Sequence, residues 1–185
     1  MGLKSIGLRV ASFGWGLAEA TLFVIVPDVL LSAVALRDRA LALRLCLWAL
    51  AGALAGGWLM YLWGSQDVEQ VKRVLSAIPA IGEAMVAGVE QALRDMGAWA
   101  TFLGPLTGTP YKIYAALAPQ AEVSLALFLA TSVPARLIRF VAIVLLAAWI
   151  TRRWFPDWTH RQRLVLHLAF WTAFYTLYFL VFTSG

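Results

Sequence analysis

Charge is what this chain has least of. Only 14% of its 185 residues are Asp, Glu, Lys or Arg, against 62% hydrophobic. A globular domain carries about 25% charged and roughly 45–50% apolar residues, so the departure is large. The mean hydropathy of +0.78 points the same way, towards a membrane. Several runs approach the ~20 apolar residues that cross a bilayer, which argues against a soluble core protein. The length allows a single membrane domain, 1–185, and no separate soluble module. Cysteine is nearly absent: Cys46 stands alone in an apolar run, so an intrachain disulfide is impossible and a thiolate metal cluster is excluded. The two histidines, His160 and His167, have no carboxylate, Cys or second His at ligand spacing. Ser32, Ser124 and Ser132 lack a nucleophile-elbow context. No metal, cofactor or enzymatic activity is therefore expected. The net charge is +5, but the basic residues flank hydrophobic segments. That suits membrane orientation and anionic lipid, and it argues against nucleic acid. No small-residue cleavage pattern follows MGLKSIGLRV, so no cleavable signal peptide is expected.

What is present reads as hydrophobic segments interrupted in telling places. Phe13–Leu36 carries Glu19 and is broken at Pro27-Asp28. Proline removes a backbone donor and biases the preceding residue away from helix, so a hairpin turning back at Val26–Asp28 is expected, with one kinked spanning helix as the alternative. Leu45–Trp63 is a clear span. Its Ala49, Gly52 and Gly56 form a small-residue stripe that lets a second helix approach. Over Ser65–Met96 the apolar residues Val68, Val71, Leu75 and Ile78, then Met85, Val89, Leu93 and Met96, recur at helical spacing among charges. These are amphipathic helices on the membrane surface or against the bundle.

The stretch Gly104–Phe140 repeats the first theme. It is apolar, yet Gly104, Pro105, Gly108 and Pro110 break it, and it holds Lys112, Arg136 and Arg139. Irregular backbone and charge are tolerated in lipid only where they line a cavity. A second hairpin, a turn at Ala118–Gln120 and a span over Val123–Ile150 interrupted by Pro134 are expected. A basic interfacial loop, Thr151–Arg163, leads to the last span, Leu164–Phe182. The positive-inside rule puts that loop, Arg37, Arg39 and Arg44, and the N-terminus with Lys4 and Arg9 in the cytoplasm.

The expected fold is an all-α integral membrane protein. It has two opposed re-entrant helical hairpins, about three full spans, and amphipathic surface helices. Hairpin plus span occurs twice, over 13–63 and 98–150, around a connector at 65–97 and before the span at 164–183. The two units enter from opposite sides, an inverted-topology repeat.

Five ionisable residues lie in apolar context: Glu19, Asp28, Lys112, Arg136 and Arg139. Each costs roughly 2.5–3.5 kcal/mol at a helix centre, so pairing or hydration is required. The acids lie in the first half and the bases in the second, which makes pairing across the halves natural. Functionally, they suit an anion-binding pocket whose carboxylates take up protons, since the arginine fork binds two phosphate oxygens at once. The structural alternative is interfacial snorkelling or fixed salt bridges.

These residues resemble the DedA superfamily, the SNARE-associated or VTT-domain membrane proteins, and its short members in particular. The resemblance is carried by Glu19 with Pro27-Asp28, by GALAGGWLMYLWG, by Pro110-Tyr111-Lys112 within TPYKIYAALA, and by Arg136–Phe140. It covers roughly Trp15 to Trp149. It implies opposed re-entrant hairpins in an inner membrane and movement of lipids across it: undecaprenyl phosphate in bacterial relatives, phospholipids in eukaryotic ones. By that likeness the family's essential acids map to Glu19 and Asp28, the expected proton-coupling residues, and its essential arginines map only partly; Lys112, Arg136, Arg139 and Tyr111 are the expected substrate-binding residues on the reading of the charges themselves. Larger members carry an Arg-Phe-x-Pro-Gly-x-Arg hairpin where this chain has Gly104–Pro110 without either arginine. Lys112, Arg136 and Arg139 are expected to supply that charge. The expected partners are membrane lipids, with a homo-oligomer left open. A proton-coupled carrier of a small ion or solute, a lipid-phosphate enzyme and a non-catalytic scaffold are the other readings.

Overall fold

The computed structural model describes the backbone of residues 3–183 and the side chains of residues 5–181; Lys4, counted above with the basic N-terminus, falls outside the described side chains. Among these residues the protein is all helical, 81% helix without strands. The helices are α1 (Leu3–Thr21), α2 (Asp28–Ala35), α3 (Arg39–Gln66), α4 (Val68–Ser76), α5 (Glu83–Met96), α6 (Ala98–Leu103), α7 (Tyr111–Leu117), α8 (Leu125–Trp154) and α9 (His160–Thr183). A 3₁₀ turn, Gly104–Leu106, follows α6. Several starts are written in single residues. The Asp38 carboxylate accepts the Leu41 N–H at 2.9 Å to open α3, and Asp67 accepts Gln70 N–H at 2.8 Å to open α4. Such caps satisfy donors that a first helical turn leaves free.

Three helices, α3, α8 and α9, are long and apolar enough to cross a membrane. α3 outruns its expected span because Asp38 sets its start before Arg44, and α8 runs on to Trp154 with Pro134 inside it. The expected break there is absent. α9 is nearly bare, with Val165, Phe170, Leu177 and Val181 at least 60% exposed. An apolar surface of this extent needs lipid or another protein to cover it.

The central helix is α3. Gly52 lies against Phe13 and Leu17, and Gly16 against Ala49 and Ala53. Residue numbers rise together along both helices, so α1 and α3 run parallel. The chain must therefore return between them, and α2 makes that return: Leu31 and Ala35 share a core with Ala42, Leu45 and Cys46. The small-residue stripe thus serves close packing of α1. A second set on α3, Gly57 and Gly64, admits Tyr111 and Ala116 of α7.

The amphipathic connector packs against the bundle. Val71, Leu75, Val89 and Leu93 are buried in a core with Ile113 and Leu117, whereas Met96 points out at 45% exposure. Lys72 of α4 joins Glu90 of α5 at 3.2 Å. Burial tends to raise the Glu90 carboxyl, but the hydrogen bond and charge of Lys72 prevail and hold it below its ordinary value.

Two apolar cores result. One gathers Met60, Ile113 and Phe128, the other Leu45, Phe140 and Val144. Along α8, Arg136 and Arg139 fall between Phe128 and Val144, so the charged residues occupy the layer where the two cores meet.

Candidate functional site

The polar layer is built from two helix breaks. The first, residues 22–27, would expose backbone polar groups, and side chains from three other places satisfy them. Trp15 Nε1 donates to the Ile25 carbonyl at 2.9 Å, and Lys112 Nζ donates to the Phe23 carbonyl at 2.6 Å. The Val26 N–H donates to the Tyr175 hydroxyl at 2.8 Å. Buried backbone groups need such partners, above all away from water. The second break follows the 3₁₀ turn, where Thr107 Oγ1 donates to the Gly104 carbonyl at 2.8 Å. Gly108 lies there at φ +98°, a backbone state that favours glycine.

The acids of the first half meet the bases of the second. Arg139 donates to Asp28 Oδ2 from Nε at 2.9 Å and from Nη2 at 2.5 Å. Arg136 pairs with both oxygens of Glu19. The Arg136 guanidinium also sits between two rings, 4.6 Å from the centroid of Tyr111 and 5.2 Å from that of Phe140. Tyr111 is held in turn by stacking on Phe128 and by a 3.0 Å bond from its hydroxyl to Ser132 Oγ.

A cavity of about 430 Å³ opens onto this layer. Glu19, Asp28, Lys112 and Arg139 line it, and so do Gly108, Thr109 and Pro110 of the second break. Pro105 also lines it, Gly104 is buried behind, and Pro27 caps α2 at the lip of the first break. Arg136 and Tyr111 differ from expectation. At 0% and 1% exposure they stand behind the wall, with Glu19 and the ring sandwich using the guanidinium. Neither lines the cavity. Lys112 does line the cavity, and among the described residues no carboxylate lies within ion-pair distance of its ammonium. Asp28 Oδ1 is buried without a hydrogen-bond partner.

Three contributions escaped the sequence reading. His167, taken there as lacking ligand partners, is buried, with Nε2 2.8 Å from Ser32 Oγ and accepting from Trp171 Nε1 at 3.0 Å. Tyr175 and Trp171 line the cavity from α9. The signal was available: His167, Trp171 and Tyr175 are spaced by four and so share one helix face. Ile78, Pro79 and Ile81 of the connector, read as structural, form part of the wall as well. Among the described residues, no cluster of His, Cys, Asp and Glu is arranged to hold a metal ion.

No family model matches this chain, and no curated protein or solved structure matches it.

Proposed function

We propose that this chain is a membrane lipid transporter, a flippase or scramblase, for an anionic phospholipid or a polyprenyl phosphate such as undecaprenyl phosphate. The observation that carries the reading is the charge of the buried layer. Among the described residues Glu19 pairs with Arg136 and Asp28 with Arg139, and the base left without a carboxylate, Lys112, lines the cavity. A buried cation without a counter-charge is costly; a phosphate head group would offset it, and a lipid's chains would stay in the bilayer. Asp28, with one oxygen unpartnered, and Glu19 serve as proton-linked switches that release their arginines when protonated. In this reading each break is the tip of a re-entrant hairpin, the halves form an inverted repeat, and the protein belongs to the DedA type. It sits in an inner membrane with its N-terminus cytoplasmic.

The test is transbilayer movement of fluorescent lipids in proteoliposomes, read by chemical reduction of the outer-leaflet label. Wild type should move anionic lipid faster than empty vesicles. Lys112→Met, which leaves both ion pairs intact, should slow it about tenfold, the scale of one charge-assisted hydrogen bond. Glu19→Gln with Arg136→Met, which removes that pair as a unit, and Arg139→Ala, whose guanidinium is partly exposed, should stop it while remaining monodisperse in detergent. Wild type no faster than empty vesicles, across head groups including a polyprenyl phosphate, would remove the lipid reading in favour of a small-ion carrier.

A further inference from the structure

Beside the polar cavity runs a second space that the charge layer does not explain. It is a groove of about 270 Å³ between α8 and α9, walled by apolar residues such as Leu36, Leu146, Ala147 and Ile150. We propose that it is a resting site for one anionic lipid, with the head-group phosphate at Arg163 and one hydrocarbon chain leading towards the polar cavity. The proposal rests on the lipid-transport reading and adds where the substrate waits.

Four observations carry it. First, Arg163 lines one end of the groove, where Nη2 donates to the Phe155 carbonyl at 2.9 Å and the Pro156 carbonyl at 2.8 Å. Among the described residues no carboxylate lies within ion-pair distance of it, so the guanidinium is held in place by neutral oxygens. Arg152 and Arg153 lie just before that loop and Arg161 just after it, against the single acid Asp157 within it, so the local balance is positive. Second, Ile143, Phe170 and Trp171 wall both the groove and the cavity, so the two spaces adjoin at the far end.

Third, the length fits. From Arg163 to Trp171 the helix advances about 12 Å, close to one leaflet of a hydrocarbon core roughly 30 Å thick. A chain anchored at the membrane edge therefore ends beside the cavity. Fourth, the groove holds an unused polar atom. His167 lines it at 9% exposure, and its Nδ1 has no hydrogen-bond partner. Nε2 is taken up by Ser32 and Trp171, so Nδ1 is the ring nitrogen left over for a ligand. An apolar groove with a fixed cation at its edge and one unpartnered ring nitrogen in its wall suits an anionic amphiphile.

The test is photocrosslinking in phosphatidylcholine vesicles doped with phosphatidylglycerol that carries a diazirine in one acyl chain. Adducts are mapped by peptide mass spectrometry. Adducts are expected at Ile143 and His167 inside the groove, as well as at Leu145 and Leu168, which face outward and report lipid of the general annulus. Ala147→Trp, which fills the groove, should abolish the inner adducts and spare the outer ones. Arg163→Gln should lower the inner adducts about tenfold, in line with loss of a charge-assisted contact. A diazirine phosphatidylcholine should label the inner positions far less, and a diazirine fatty acid reports whether a carboxylate substitutes for phosphate.

Equal inner labelling by both phospholipids, unmoved by either variant, would mean annular lipid only and would overturn the proposal. Outer labelling without inner labelling would do the same, with a second copy of the chain covering the groove as one cause. Inner labelling by fatty acid alone would overturn the phosphate assignment. Lys112→Met, outside the groove, should slow transport and leave inner labelling unchanged, and its loss of inner adducts would place the head group at the polar cavity and overturn the proposal. Inner labelling without transport in wild type refutes transport and keeps the site; transport without inner labelling does the reverse.

Discussion

Glu19 and Arg136 show how a buried ion pair differs from an isolated buried charge. Arg136 is fully enclosed, and its partner is the only carboxylate it reaches among the described residues. Replacing one member strands the other, which costs about 3–5 kcal/mol, whereas replacing both by neutral residues of similar volume is often near neutral. Arg136→Met alone should therefore lower the thermal midpoint in detergent strongly. Glu19→Gln with Arg136→Met should recover most of that loss without recovering transport. A double variant as unstable as the single one would show that the rings of Tyr111 and Phe140, not the carboxylate, hold the guanidinium. At this scale the sequence revealed the five charges and their division between halves. It did not reveal which acid meets which base, because partners more than a hundred positions apart are chosen by packing. His167 was missed for the same reason: its partner Ser32 is 135 residues away.

Among the elements, the pairing of α1 with α3 decides where Glu19 sits. A Cβ on Gly52 would strike the Phe13 carbonyl oxygen, and one on Gly16 would strike that of Ala49. The neighbours struck are backbone, which cannot rotate away. Overpacking of this kind costs typically about 1–3 kcal/mol or somewhat more. Gly52→Leu should push α1 outward, draw Glu19 from Arg136, and abolish transport; Gly82→Ala, which meets open space, is the matched control. Equal activity in both variants would mean that close approach of α1 is dispensable. The stripe was legible as a packing surface, since small residues four apart have few other uses in an apolar helix. Its partner was not, because Gly16 lies in a helix whose own glycines form no regular stripe. The continuity of α8 through Pro134 was likewise hidden: proline costs a helix one donor and some strain, and here its ring lies on an exposed face of an otherwise continuous helix.

For the whole molecule, the basic residues Arg37, Arg39, Arg152 and Arg153 are exposed, and Arg39 lies with Arg152 and Arg153 around one surface depression. The connector, with Glu69 70% exposed, lies by the ends of α3 and α7 away from them. Because Cys46 is fully buried, single cysteines can be read in the native background. In right-side-out cells, Glu69→Cys should react with a membrane-impermeant maleimide and Arg153→Cys only after permeabilisation; the opposite pattern would invert the assigned topology. The sequence by itself determined that the chain is helical, rich in membrane-length apolar segments, broken at two places, and charged near those breaks. These properties follow from composition and local periodicity, which neighbouring residues express without help. Only the tertiary structure decided that α2 returns beside α3, that Arg136 and Tyr111 stand behind the wall while Lys112 lines the cavity, and that α9 brings an aromatic face and an apolar groove to it. Each of those depends on which helix faces meet, and helix faces of similar hydrophobicity are told apart only by the fit of their side chains.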